Sequence, residues 1–224
     1  MKISIVIPIF NKYAFTKACL DDLFKLPEDN EIIIVDNASS DESFEKLSSI
    51  NKSNFKYIRN ETNFFHSKGC NLGFEKASGD IVLFLNNDIK VKSNHDSWTS
   101  KVIEACKDNK IIGPTFGLLD KNYNFVKESN ELLTGNSYVS GWFIAANKKT
   151  WKKLDMSSNE IWNEKFPMYF NDADLAFRAK KLKINLEHLD IKDVLHYGKI
   201  SSAQLNVNKL YNEGRSVFLK KYAK

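Results

Sequence analysis

Asp80-Ile81-Val82-Leu83-Phe84-Leu85-Asn86-Asn87-Asp88 is the stretch whose reading decides the fold. Five apolar residues without helical period read as a short buried strand. The strand ends in Asn-Asn-Asp, which puts amide and carboxylate oxygens where the backbone leaves the sheet. In open α/β sheets that carboxyl end is where ligands bind. Carboxylate and carbonyl oxygens also suit a hard divalent cation, and a cation held there can hold a diphosphate.

The same pattern repeats upstream. Ile3 to Ile9 reads as a strand, followed by Phe15, Ala18, Cys19, Leu23 and Phe24 at helical spacing. Glu31 to Val35 is a second strand ending in Asp36-Asn37, with Ser40 and Asp41 placed to cap a helix carrying Phe44, Leu47 and Ile50. Phe55 to Arg59 is a third strand, then a loop over Asn60 to Ser67 and a helix around Asn71 to Ala77. Strand and helix alternating with short connections imply a parallel sheet. Its strand ends then carry Asn11, Asp36, Asn60 and Asp88 on one edge, the pattern of a ligand cleft.

Downstream the texture changes. A helix near Trp98, Val102, Ala105 and Cys106 leads to a strand over Ile111 to Phe116, then a hairpin around Leu118 to Val126. Ser137 to Ala146 reads as a long strand interrupted by Gly141-Trp142, and Asn171-Asp172-Ala173-Asp174 opens a helix with Leu175, Ala179 and Leu182 on one face. No linker or repeat divides the chain. It reads as one domain over 1–224, with a nucleotide-binding half (1–90), an acceptor half (91–200) and a basic C-terminal helix (201–224).

Composition sets bounds. A chain of 224 residues, 42% hydrophobic and 27% charged, has enough apolar residues for one substantial core. The net charge of +5 is scattered rather than striped, which argues against a nucleic-acid binder. No apolar run nears the ~20 residues that span a bilayer, and no leader is evident. Cys19, Cys70 and Cys106 lack metal-ligand spacing and read as core residues in a reducing, cytoplasmic compartment. Lys209, Arg215, Lys220, Lys221 and Lys224 surround Leu210, Val217, Phe218 and Leu219. That segment reads as a solvated helix packed through its apolar side, with peripheral contact to anionic lipid as the alternative.

Three residues stand out chemically. Asp172 follows the aromatic residues Phe166, Tyr169 and Phe170, where a partly dry wall would raise its pKa toward that of a general base. On local sequence alone helix capping comes ahead of catalysis for Asp172, and Asp174 with Arg178 reads as a structural i,i+4 pair. His196, at the end of Val194-Leu195, is a metal-ligand candidate, although a lone strand-end histidine is more often structural. Among the other histidines, His95 and His188 have weaker contexts, and His66 sits where it could reach a phosphate. The chain has no Gly-x-Gly-x-x-Gly, Gly-x-x-x-x-Gly-Lys-Ser/Thr or Gly-x-Ser-x-Gly, which counts against dinucleotide dehydrogenases, P-loop NTPases and α/β-hydrolases.

Taken in order, seven segments resemble the family 2 glycosyltransferases, an inverting group with the GT-A fold. They are Ser4 to Asn11, Ile34 to Asp41, Asn71-Leu72-Gly73, Leu85 to Asp88, Ser140-Gly141-Trp142, Tyr169 to Leu175 and His196-Tyr197-Gly198. The resemblance implies an α/β, Rossmann-like, mostly parallel central sheet flanked by helices, with a small antiparallel element in the acceptor half. It implies transfer of a hexosyl or deoxyhexosyl group from a nucleotide-sugar donor, UDP- or dTDP-linked, to a hydroxyl of a saccharide or glycoconjugate acceptor. By the same resemblance, Pro8, Asn11 and Ser39 line the nucleotide pocket, Asp36 accepts from the base, and Lys68 and Asn71 lie near ribose and diphosphate. Asn86 and Asn87 belong to the donor site, while Gly141, Trp142 and Asn171 face sugar and acceptor. Asp172 matches the base, and Asp88 and His196 match ligands of a divalent metal, Mn²⁺ or Mg²⁺. Two departures are visible: Asn86 stands where the family's metal motif begins with an aspartate, and Asn171 where an acidic residue commonly precedes the base.

Two other readings remain open here. A sugar-phosphate nucleotidyltransferase shares the sheet and metal, but usually needs a glycine- and basic-rich loop where this chain has Phe10-Asn11-Lys12-Tyr13. A silent nucleotide-sugar-binding module would need no Asp172.

Overall fold

A computed structural model describes residues 1–92, 96–198 and 206–223, so His95 and Lys224 lie outside the described residues. The deciding stretch is β4 (Ile81–Leu85), buried at every position. It pairs in parallel with β1 (Ile3–Ile9), β1 with β2 (Glu31–Asp36), and β2 with β3 (Phe55–Arg59). β-branched residues dominate β1 and β2 because both faces of the sheet are covered. Alternation divides them: Ile3, Ile5 and Ile7 enter one core, while Val6 enters the other. The first core is covered by α1 (Tyr13–Leu23) and α4 (Asp96–Ala105) through Leu20, Leu23 and Val102. The second is covered by α3 (Phe65–Lys76), α5 (Lys148–Lys153) and α6 (Asn171–Lys181) through Phe74, Trp151 and Leu175. The loop residue Trp162 completes that second core.

Strands from the later part of the chain extend this same sheet. β10 (Phe143–Asn147) runs antiparallel to β4 and to β6 (Lys110–Gly113), and β11 (Asn185–His188) runs parallel to β6. The order is β11-β6-β10-β4-β1-β2-β3. Beside it lies a three-stranded antiparallel sheet of β7 (Phe116–Leu119), β8 (Phe125–Ser129) and β9 (Asn136–Val139), with β7 in the middle.

Two expected strands are therefore each two strands. The run from Ile111 breaks at Pro114, which has no N–H for a ladder, and the chain passes from β6 to β7. The run Ser137 to Ala146 breaks at Ser140-Gly141-Trp142, where the chain passes from β9 in the small sheet to β10 in the large one. The expected loop Asn60 to Ser67 is also shorter. α3 begins at Phe65, whose φ of 61° is fixed by Asn63 Oδ1 accepting from its N–H (2.8 Å) and Asn37 Nδ2 donating to its C=O (3.1 Å). The cysteines are buried and unpaired, Cys106 lying just past the end of α4. α2 (Ser43–Ser48) flanks β3.

The C-terminal helix α7 (Val207–Tyr222) packs through its apolar side. Phe218 is fully buried among Phe166, Phe170, Phe177, Tyr123 and Tyr222. Lys221 Nζ (2.6 Å) and Tyr222 Oη (2.8 Å) both donate to Asp174, which also pairs with Arg178 (2.8 Å). Arg215 donates to the Asn122 carbonyl (3.1 Å). Two of the basic residues offered above for lipid are thus engaged within the fold. Among the described residues no helix is long and apolar enough to cross a membrane.

Candidate functional site

A cleft of about 900 Å³ opens at the carboxyl ends of β1 and β4. Pro8, Asn86 and Asn87 lie on its sheet side, and Gly141, Trp142, Asn171, Asp172 and His196 line it as well. Residues some 190 positions apart in sequence meet here because β5 (Ile89–Val91) pairs antiparallel with β12 (Val194–His196), setting His196 opposite Ile89. The Tyr197 N–H donates to the Asp88 carbonyl (2.9 Å), and His196 Nε2 stands 3.1 Å from Asp88 Oδ1. Trp142 stacks on the imidazole, with ring centres 4.7 Å apart and 6° between planes. The indole is in turn anchored by Nε1 donating to Thr115 Oγ1 (2.6 Å).

Asp88 is 3% exposed, and its Oδ1 accepts no hydrogen bond from the described residues. A buried carboxylate oxygen without a donor is costly unless a cation or proton meets it. An oxygen and an imidazole nitrogen at this separation are a donor pair that fits a transition-metal ion. The described residues hold no group of three or more acidic, His or Cys ligands. Asn86, whose Nδ2 lies 3.4 Å from His196 Nε2, brings no charge to this corner. Asn87 turns its Nδ2 to Thr16 Oγ1 (2.8 Å).

Asp172 occupies the first turn of α6, on the cleft wall. Its Oδ2 accepts from the Gly141 N–H (3.2 Å) and its Oδ1 from the Ala173 N–H (2.8 Å). Burial pushes the carboxyl up to about 6; the backbone N–H bonds oppose that shift and the nearby Glu128 charge adds to it. Such a group is ionised at neutral pH yet basic enough to take a proton. Asn171 orients it: Oδ1 accepts from the Asp172 N–H (2.9 Å), and Nδ2 points to His66 Nδ1 (3.0 Å) and Ser67 Oγ (3.1 Å). Phe170, at the helix N-cap, holds a φ of 65°, a strained backbone fixed where the base candidate leaves the loop.

Several expected donor contacts face elsewhere. Asn71 is buried and clasps the Trp162 backbone through both its carbonyl and amide (2.9 and 2.8 Å), so it braces a loop and does not line the cleft. Lys68 lies over the Phe64 ring (4.2 Å) and near Glu164 (4.0 Å), also outside the cleft lining. Asn11 Oδ1 accepts from the Ser40 N–H (2.7 Å), while its own N–H donates to Ser39 Oγ (2.7 Å). Asp36 is fully buried, with Ser39, Tyr57 and Arg59 donating to it, so its oxygens are already occupied within the protein. His66 belongs to α3, not a loop. It lines the cleft, and burial lowers its pKa to about 4, so the group that the sequence suggested could reach a phosphate is a neutral imidazole. His188 lies on β11, with its ring beside Phe116.

Other cleft residues were not singled out from sequence: Phe65, Glu128, Tyr138 and Tyr211. Tyr138 and Tyr211 sit at half-buried positions in segments with no chemical motif. For Tyr138 a neighbouring signal existed in Gly117. A Cβ there would come 2.1 Å from the Tyr138 ring, so only glycine lets the tyrosine lie across β7 into the cleft.

Comparison with known proteins places this geometry. A family model described as glycosyl transferase family 2 matches residues 4–166, most of the chain. The Escherichia coli UDP-Glc:alpha-D-GlcNAc-diphosphoundecaprenol beta-1,3-glucosyltransferase WfgD is 28% identical over 157 residues, 68% of this chain and 54% of its own length. The Campylobacter jejuni GalNAc(5)-diNAcBac-PP-undecaprenol beta-1,3-glucosyltransferase is 28% identical over 199 residues, 81% of this chain and 60% of its own length. This chain therefore spans between half and two thirds of those relatives. Among solved structures, S. aureus TarS superposes with a TM-score of 0.63 at 21% identity, covering 87% of this chain and 60% of that one. GalNAc-T7, solved with UDP, GalNAc and Mn²⁺, gives 0.71 at 14% identity, covering 88% and 44%. The fold is GT-A, with its mostly parallel sheet and small antiparallel element. The chain belongs to glycosyl transferase family 2.

Proposed function

We propose that this protein is an inverting glycosyltransferase that moves a hexosyl or deoxyhexosyl group from a UDP- or dTDP-sugar to a hydroxyl of a saccharide or glycoconjugate acceptor. One observation carries the reading: Asp172 and His196, with Asp88 directly behind the histidine, meet at a single cleft. A silent binder has no use for a carboxyl raised to about 6 on the wall of that cleft. The acceptors in the two relatives' names are diphosphoundecaprenol-linked glycans, which supports a glycoconjugate acceptor here. In this reading residues 1–90 form the donor half and 91–200 the acceptor half of one unit.

The work of each residue follows from its position. Asp88 and His196 would hold a divalent ion, Mn²⁺ better than Mg²⁺ because imidazole suits later metals. When bound, that ion supplies Lewis-acid charge against the donor's diphosphate. With Asn86 neutral, the diphosphate oxygens themselves would complete the ligand set. Asp172 would accept the acceptor's proton as its oxygen attacks the anomeric carbon from the face opposite the nucleotide, hence with inversion. Gly141 holds that carboxylate in place through its N–H. Trp142 and Asn171 keep the two ends of the site at fixed spacing.

The test is Asp172→Asn. Donor affinity should stay within about twofold of wild type, while transfer falls by about 10³-fold, within the span for loss of a general base. Release of nucleoside diphosphate, not pyrophosphate, separates this reaction from nucleotidyl transfer. Transfer near the wild-type rate in the variant would refute the assignment of the base.

A further inference from the structure

The Ser140-Gly141-Trp142 crossing between the two sheets touches three functional groups in three consecutive residues. Trp142 stacks on His196, the Gly141 N–H reaches Asp172, and the Ser140 hydroxyl donates to Glu128 Oε1. The third contact lies apart from the base and the metal-ligand pair. Glu128 lies on the edge strand β8, lines the cleft and is exposed. Consecutive Cα atoms are ~3.8 Å apart, so Ser140 and Gly141 hold the two carboxylates on one short stretch of wall. Around them the wall is aromatic: Tyr138 beneath, then Tyr169, Phe170 and Tyr211. Tyr211 rests on Tyr169 (5.9 Å) and Phe170 (5.2 Å).

Flat rings beside a carboxylate are what a pyranose needs, an apolar face to lie on and an acceptor for its hydroxyl hydrogens. From this arrangement, and resting on the function proposed above, we infer that Glu128 binds a second hydroxyl of the acceptor sugar, next to the one Asp172 deprotonates. The acceptor residue is therefore a neutral pyranose and not a uronic acid. A sugar carboxylate would bring a third negative charge to a wall that already carries Asp172 and Glu128. The Glu128 charge also raises the pKa of Asp172, so the same residue that orients the acceptor makes the base stronger.

Glu128 is exposed, so Glu128→Gln should fold like wild type. Ligand-observed NMR can follow methyl β-glucoside, β-galactoside, β-N-acetylglucosaminide and β-glucuronide, each with UDP, dTDP or GDP, whichever binds. The expected result is a neutral pyranoside bound by wild type and weakened about tenfold in Glu128→Gln, with the glucuronide excluded and nucleotide affinity unchanged. Ser140→Ala, which removes only the brace, should weaken the pyranoside less. Equal pyranoside affinity in Glu128→Gln, preference for the glucuronide, or no pyranoside bound by a protein that binds nucleotide would each overturn the inference and leave the proposed function standing. Failure to bind any of the three nucleotides would overturn both.

Discussion

Asp172 feels two opposed influences: burial, which disfavours its charge, and two N–H groups, from Gly141 and Ala173, which favour it. Burial wins and the carboxyl titrates at about 6. An unfolded aspartate titrates near ~3.9, so between those values the folded chain keeps a proton that the unfolded chain has lost. Stability contributed by this group is present below about pH 4 and lost as pH rises through 6. Asp172→Asn should therefore be more stable than wild type at pH 7.5, by about 2 kcal/mol, with the gain vanishing near pH 4. Thermal melts at the two pH values check this, and a variant equally stable at both would contradict it. The same titration should give transfer an acid limb near pH 6, because only the ionised carboxylate accepts a proton.

At the scale of elements, α7 is what shapes the aromatic wall. Gly214 lets it approach so closely that a Cβ there would sit 2.7 Å from the Tyr169 carbonyl oxygen. Gly214→Ala should force the helix off Tyr169 and Phe170 and destabilise the protein by about 1–3 kcal/mol in a urea titration. Stability equal to wild type would mean that α7 can move freely against α6. The sequence already placed an amphipathic C-terminal helix here, and the Asp174–Arg178 pair. It could not place Lys221 and Tyr222 on Asp174, because contacts nearly 50 residues apart leave no local period. The interruption at Gly141-Trp142 was visible in the sequence, but not that the chain changes sheets there. β9 alternates between half-buried and buried positions while β10 is buried at four consecutive ones, and a run of apolar residues does not say which sheet it joins. Asn71 misled for another reason: a motif fixes a residue's place on the chain, while its amide was claimed by Trp162 across the molecule.

Across the whole molecule, the polar strand ends visible in the sequence do gather on one edge, and β4 does end at the cleft, because short βα units leave few alternatives. The opposite edge carries a different device. Glu31 is nearly buried, which raises its pKa, yet bonds from Lys56, Ser4 and Ser78 outweigh that and bring it down to about 2. Its contribution to stability is present above the unfolded value near ~4.3 and lost as pH falls toward 2, the reverse of Asp172. These two groups together therefore place the stability maximum at about pH 4, with losses on both sides. Glu31→Gln should flatten the acid side of that profile and cost about 1–3 kcal/mol at pH 7, a range kept modest because Lys56 is half exposed. An unchanged acid limb in denaturant titrations would remove Glu31 from this role.

The most direct test is calorimetric titration of the purified protein with UDP-, dTDP- and GDP-sugars, with and without Mn²⁺, beside Asp88→Ala. The expected result is Mn²⁺-dependent binding of one nucleotide class, lost in the variant while the fold is kept. A folded wild-type protein that binds no sugar nucleotide, or binds equally well without Asp88, would contradict the donor site described here.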